Sequence, residues 1–130
     1  MKTRIVLVIS FIIFSVIAAN AQGGFQRRTV EERVQIINQK LDSAFKLDKA
    51  KLADADSAFA SYYRATDKLR DDMMSSGQFD RQGFMDKVQP LTDERDKKLQ
   101  GILSADQFKT WKEAIEPSLR PRRQGGGGNR

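Results

Sequence analysis

One long segment of the sequence has apolar residues at alternating spacings of three and four. The segment follows Asp48, a residue that can cap a helix, and neither Gly nor Pro interrupts it before Gly77. This spacing predicts coiled-coil-like packing along one narrow seam. The predicted helix covers about residues 48–76 and, at about 1.5 Å per residue, measures about 43 Å. Its seam consists of Leu52, Ala55, Phe59, Tyr62, Thr66, Leu69 and Met73.

A helix of that length is difficult to enclose in a chain of 130 residues. A chain this short forms one domain and not comfortably two. The absence of Cys also excludes disulfides, so apolar packing has to stabilise the fold. We therefore expect an elongated protein, or a homodimer in which a second copy completes the burial.

Amphipathic patterns on both sides of the long helix predict two further helices. Thr29 and Glu32 form a capping-box pattern in front of a helix over about residues 30–45. Asp80 can cap a third helix after the turn. Pro90 lies inside the third pattern, and we expect it either to kink the helix or to begin a new one directly after it.

A fourth helix is predicted near the carboxyl end of the chain. Ser104 can act as its N-cap, with Gln107 as the capping-box partner, and Pro117 is expected to stop it. No strand-length window favours a period of two, so the predicted fold class is all-α, an elongated helical hairpin of about four helices. The residues expected to be buried by the fourth helix are Phe108, Trp111 and Ile115.

Both ends of the chain are predicted to lie outside this domain, which covers residues 29–117. Residues 1–21 combine a basic start, an uncharged apolar run and an A-x-A site, the layout of a signal peptide cleaved before Gln22. The rival interpretation is a retained membrane anchor, but the run is several residues short of the about 20 that span a bilayer. We expect residues 22–28 to form a flexible polar lead-in and residues 118–130 to form a disordered basic Arg/Gly tail.

Composition excludes several classes of function. The sequence has neither His nor Cys, so it holds no Ser–His–Asp or Cys–His nucleophile and no zinc site of the usual kinds. Its carboxylates fall mainly on solvated helix faces, and we expect no enzyme activity, no cofactor and no metal. The formal charge is +6, but the surplus lies in the signal peptide and the tail, so the body between them is neutral. We therefore expect no nucleic-acid partner.

Apolar side chains cluster around the turn between the second and third helices. Met and Phe there suit either core packing or an adaptable surface for variable partners. Arg95 interrupts the apolar seam of the third helix, where it can extend along the core to reach solvent or present a charge to a partner. The candidate contact residues are Met73, Met74, Phe79, Phe84 and Arg95, and Met85 belongs to the same cluster.

The head of the fourth helix, Leu103-Ser104-x-x-Gln107, resembles the LTxxQ motif of the Spy/CpxP family. Ser in place of Thr keeps the capping hydroxyl. The family carries the motif twice, and the first copy is expected near Leu47, where Lys51 occupies the position of Gln. The resemblance covers residues 29–116 in layout. It implies structural capping roles for Leu103, Ser104 and Gln107, and a helical hairpin that dimerises into a cradle.

The resemblance also implies a function and a location. Its leading expectation is a periplasmic, ATP-independent chaperone or envelope-stress protein that binds partly unfolded envelope proteins, with no membrane span after cleavage. One alternative is a regulatory or structural envelope protein that binds a single partner. Others are a relative of metal sensors that has lost its His ligands, and a binder of anionic polymers through the Arg-rich tail.

Overall fold

The computed structural model describes residues 27–120, which form an all-α structure as predicted. The predicted signal peptide and most of the lead-in and tail lie outside this range. None of the helices within it is long and apolar enough to cross a membrane. The helices are α1 (Val30–Phe45), α2 (Lys49–Ser75), α3 (Arg81–Ile102), α4 (Ala105–Thr110) and, after a π-helical turn (Trp111–Ile115), α5 (Glu116–Leu119).

Side-chain caps fix the starts of the helices where the sequence predicts them. The Thr29 hydroxyl accepts a hydrogen bond from the Glu32 amide at 3.1 Å, and the Glu32 carboxylate accepts one from the Thr29 amide at 2.9 Å. Asp48 accepts from the third amide of α2 at 2.8 Å. Asp80 accepts from the Gly83 amide at 2.7 Å. Each cap satisfies donors that the first helical turn leaves unpaired.

The end of α1 has an unusual backbone conformation. Lys46 adopts φ 50° and ψ 49°, in the left-handed region, and its amide donates to the Asp42 carbonyl at 2.9 Å. Glycine is the usual residue at such a helix end, because a Cβ in this region crowds the backbone.

Replacing Lys46 with Gly is therefore expected to raise the free energy of unfolding by about 0.5–1 kcal/mol. Urea denaturation followed by circular dichroism measures the change. The matched control is Lys97→Gly at an exposed position inside α3, which should lower stability by about 1 kcal/mol. Equal losses for both variants would contradict the strain at Lys46.

The main core lies at the end of the molecule where four segments meet. α1 runs antiparallel to the first half of α2, and Asn38 bonds Asp56 at 2.9 Å halfway along the pair. α3 returns along α2. In the segment after α3, the ring of Trp111 packs against Phe59, with the ring centroids 5.0 Å apart. The buried cluster comprises Ile37, Leu41, Ala55, Phe59, Leu99, Leu103 and Trp111.

The α2–α3 hairpin extends beyond this core. Arg33 and Arg27 pair with Asp67, and within residues 27–120 no hydrogen bond or ion pair joins α1 to a later residue of α2. The last turns of α2 therefore pack on the first turns of α3. Phe84 and Val88 are buried there, outside the main cluster. The elongated hairpin expected from the seam is thus present.

Pro90 does not divide α3, so the prediction of a new helix directly after it is wrong. The helix is continuous from Arg81 to Ile102. Pro90 removes the hydrogen bond to the carbonyl of Asp86, four residues earlier. Both residues are exposed, so water can satisfy that carbonyl, and the packing of Val88 and Leu99 keeps the helix in place.

The expected stop at Pro117 is also wrong, since α5 continues to Leu119. In the π-helical turn, the Glu116 amide donates to the carbonyl of Trp111, five residues earlier. This shift makes Pro117 part of a new first turn, where the missing amide of a proline is tolerated. Leu119 packs against the core, so the boundary predicted before residue 118 is too early.

Candidate functional site

Large apolar side chains are exposed at the free end of the α2–α3 hairpin. Among residues 27–120 the exposed large hydrophobic side chains are Met74, Phe79 and Met85, with exposed fractions of 61%, 45% and 52%. We call these three residues the tip patch. Their grouping at one end differs from the scattered exposed apolar residues that are normal on a protein surface.

The turn holds the tip patch in place through polar contacts. Gly77 has φ 67°, a conformation that glycine adopts without strain. The Ser75 hydroxyl donates to the Asp71 carbonyl at 2.7 Å, and the Ser76 hydroxyl donates to the Met73 carbonyl at 2.9 Å. These bonds close the end of α2, so the chain reverses and Phe79 is placed just before α3.

The candidate contact residues separate into exposed and buried groups. Met74 and Phe79 are exposed, whereas Met73 is half-buried. Phe84 is only 8% exposed, because it packs 5.8 Å from the Phe79 ring and lies under the guanidinium of Arg70, 5.1 Å from its centroid. Phe84 therefore supports Phe79 from below, and its role as a direct contact stays a prediction.

Met85 was absent from the candidate contacts, although it belongs to the same sequence cluster. The exposure of Met85 could have been predicted from its position next to Phe84 in the sequence. Adjacent helical residues point about 100° apart, so a buried Phe84 turns Met85 towards solvent.

An open groove runs along the hairpin from the tip patch to the carboxyl-terminal segment. Its volume is about 720 Å³. Met85 lines one end, and Arg120 lines the other. We call this feature the hairpin groove. Its floor between the two ends includes Tyr62, Thr66, Val88 and Thr92.

Arg95 lies beneath the groove in an ion network and is only 6% exposed. Its guanidinium donates to Asp96 and to Glu116, each at 2.6 Å. Lys112 donates to the same two carboxylates at 2.8 and 2.7 Å. The expectation that the Arg95 head group reaches solvent is wrong, whereas its role as a direct contact stays a prediction. The network instead fastens the carboxyl-terminal segment to α3.

Aromatic contacts and charge compensation make this burial tolerable. The Arg95 guanidinium lies 4.7 Å from the centroid of Tyr62, a distance typical of cation–π contacts. Burial alone would lower the pKa of Arg95, but the hydrogen bonds that Arg95 donates to Asp96 and Glu116 outweigh it and raise that pKa. The pKa of Lys112 is raised by the same balance.

Tyr63 provides a pH-dependent reporter of the groove. Burial raises the pKa of its phenol above 10, although the nearby charge of Arg33 opposes the shift. A raised folded-state pKa means that stability is complete below the unfolded-state pKa and falls as pH rises through the folded-state value. The raised pKa of Lys112 has the same effect on stability. The free energy of unfolding should therefore decrease above about pH 10.

The chain has two tyrosines, so Tyr62→Phe leaves Tyr63 as the single titrating phenol. Absorbance at 295 nm in this variant should show a midpoint above that of the urea-unfolded protein. Coincident midpoints for folded and unfolded protein would show that the ring is not desolvated.

The capping roles predicted for the motif residues are present. Ser104 accepts from the Gln107 amide at 3.2 Å, and the Gln107 side chain accepts from the Ser104 amide at 3.0 Å. Leu103 belongs to the core. At the expected first copy of the motif, Asp48 caps α2, and Lys51 contributes its backbone amide to that cap.

Residues 27–120 contain no group of three or more His, Cys, Asp or Glu side chains that could hold a metal ion. Comparisons of the chain with protein-family models, curated proteins and solved structures find no significant match. The likeness to the Spy/CpxP family therefore rests on the motif at Leu103 and on the helical layout.

Proposed function

We propose that this protein is an ATP-independent chaperone that binds partly unfolded proteins through the tip patch. The observation that carries the proposal is the gathering of the exposed large apolar residues of the described chain at one end of the hairpin. Unfolded polypeptides expose apolar segments, and burying these against Met and Phe is favourable without an energy source.

The surroundings of the tip patch suit transient binding. Methionine side chains are flexible and polarisable, so they can adapt to segments of different shape. Charged residues of both signs surround the apolar centre, including Asp72, Asp80 and Arg81, all of which are exposed. A small apolar surface within a polar rim binds weakly and releases its partner readily.

The proposal includes the location and the assembly of the protein. We propose export to the periplasm with cleavage before Gln22, and a homodimer as the active form. The intact mass of protein recovered from the periplasm tests the cleavage, and sedimentation equilibrium tests the dimer. A mass that retains residues 1–21, or a monomer at all concentrations, would remove the corresponding part of the proposal.

The test of the chaperone function uses the chain from Gln22 to Arg130 and a reduced, aggregating model client. We expect suppression of light scattering at near-stoichiometric ratio. The variant Met74→Ser, Phe79→Ser, Met85→Ser should need about fivefold more protein for the same suppression. Met74 and Met85 are exposed, whereas Phe79 also packs on Phe84, so a modest loss of stability is expected and circular dichroism verifies that the variant is folded.

The matched control places three Ser residues at exposed alanines away from the tip patch, Ala44, Ala53 and Ala114. This control should suppress aggregation like the unmodified protein. Failure of the unmodified protein at severalfold excess would contradict the chaperone function. Recovery of one dominant partner from envelope extract, with no spread of unfolded proteins, would favour the regulatory alternative.

A further inference from the structure

The hairpin groove carries more positive than negative charge. Its lining includes five basic side chains and two acidic ones. This imbalance contrasts with the neutral body of the chain, so the surplus is a local property of the groove. The basic residues are Arg33, Arg70, Arg95, Lys112 and Arg120, and the acidic residues are Asp67 and Glu116.

Two of the arginines have carboxylate partners within the protein. Arg33 pairs with Asp67 and stacks on Tyr63, with its guanidinium 4.5 Å from the ring centroid. Arg95 is neutralised by its buried network. These pairs hold the aromatic floor in position, and their guanidinium groups are not free to bind a ligand.

Arg70 and Arg120 differ from these arginines. Arg70 stacks on Phe84, but no carboxylate within residues 27–120 lies at ion-pair distance from it, and the same holds for Arg120 in that range. Arg70 lies towards the tip patch, whereas Arg120 lies at the end formed by the carboxyl-terminal segment. Within the described part of the chain, each end of the groove therefore carries a positive charge without an ion-pair partner.

The stretch of α3 that borders the groove indicates the length of a ligand lying along it. Phe84 and Arg95 are eleven residues apart on α3, which corresponds to about 16 Å along the helix axis. An extended peptide advances about 3.3 Å per residue, so about five residues span that distance. Between the ends, Tyr62, Val88 and Thr92 present a mainly apolar floor.

We propose that the hairpin groove binds an extended peptide segment of about five residues, apolar at its centre and acidic at both ends. Arg70 pairs with one carboxylate and Arg120 with the other, while the apolar side chains pack on the groove floor. This inference rests on the proposed function and names the segment of a client that is recognised. Charge complementarity supplies the selectivity, and apolar contact holds the segment in place.

Fluorescence anisotropy with labelled peptides and the chain from Gln22 to Arg130 tests this inference. We expect an acid-flanked apolar peptide to bind at least about tenfold more tightly at low salt than the same centre flanked by lysines. The difference should shrink at high salt, because exposed charges are then screened. An acid-flanked peptide with a serine centre should bind weakly.

Variants at Arg70 locate the site. Arg70→Gln should weaken the acid-flanked peptide about five- to tenfold, whereas Arg70→Lys, which keeps the charge, should retain most of the preference. Lys97→Gln is the matched control, because Lys97 is exposed and lies outside both the groove lining and the tip patch. Circular dichroism verifies that each variant is folded.

The outcomes separate this inference from the chaperone function. If the protein suppresses aggregation but binds acid-flanked and lysine-flanked peptides equally, the groove inference is overturned and the chaperone function stands. Unchanged peptide affinity in folded Arg70→Gln also overturns it. Binding of vesicles of anionic lipid without binding of the acid-flanked peptide assigns the groove to lipid headgroups and overturns the peptide as its ligand.

Discussion

Replacing Arg95 with Ala should lower the free energy of unfolding by about 3 kcal/mol. The guanidinium is buried and holds Asp96 and Glu116 at 2.6 Å, and both carboxylates are themselves mostly buried. Removing it leaves one cation, Lys112, to neutralise two carboxylates. Urea denaturation monitored at 222 nm measures the loss, and the carboxyl-terminal segment should become the first part to exchange its amide protons.

The double variant Arg95→Met, Glu116→Gln is the control for this prediction. It removes one charge of each sign and keeps the pair of Lys112 with Asp96, so no buried charge lacks a partner. We expect it to recover more than half of the stability lost in Arg95→Ala. A loss below about 0.5 kcal/mol in Arg95→Ala would show that the network does not fasten this segment.

Replacing Trp111 with Ala should cost about 4 kcal/mol. The indole is fully buried and packs against Phe59 in the centre of the core. Natural domains are stable by about 5–15 kcal/mol, so this loss brings the protein close to unfolding at 25 °C. Because Trp111 is the single tryptophan, circular dichroism rather than fluorescence follows the transition.

Trp111→Phe separates packing from hydrogen bonding. The indole Nε1–H of Trp111 has no acceptor within the described structure. Replacement by Phe therefore loses no hydrogen bond and should cost about 1–2 kcal/mol, less than half of the loss in Trp111→Ala. Equal losses for the two variants would point to an acceptor for this nitrogen in solution.

Local sequence patterns were sufficient to predict most of the fold. The starts of α1, α2, α3 and α4 follow from Thr29, Asp48, Asp80 and Ser104, each of which bonds amides only two or three residues later. Such contacts depend on neighbouring residues alone, so they can be read from the sequence. The all-α class follows from the apolar periodicity for the same reason.

The predictions that failed depend on distant contacts or on backbone shifts. Arg95 is buried because Glu116, 21 positions later in the chain, reaches back to it, and no local spacing encodes that contact. The π-helical turn moves Pro117 into a first turn and changes the effect of a proline that otherwise ends a helix. A long-range contact decided the position of Arg95, and a backbone shift decided the effect of Pro117.

The candidate site was predicted only in part. The sequence identified the turn region, but its composition did not distinguish the exposed Met74 from the half-buried Met73. It also did not reveal the hairpin groove, because the lining residues come from several segments of the chain. The net charge of the chain does not show the excess of positive charge in the groove, because only folding brings these basic residues together.

Photo-crosslinking to an unfolded client tests most directly whether the tip patch is a binding surface. A photoreactive amino acid is placed at position 79 in one protein and at position 97 in another, both exposed sites, and each is irradiated with a reduced, permanently unfolded polypeptide. We expect crosslinking at position 79 to exceed that at position 97 by about fivefold or more, since apolar contact concentrates the client at the tip. Equal yields at the two positions, or none at position 79, would contradict the proposed function.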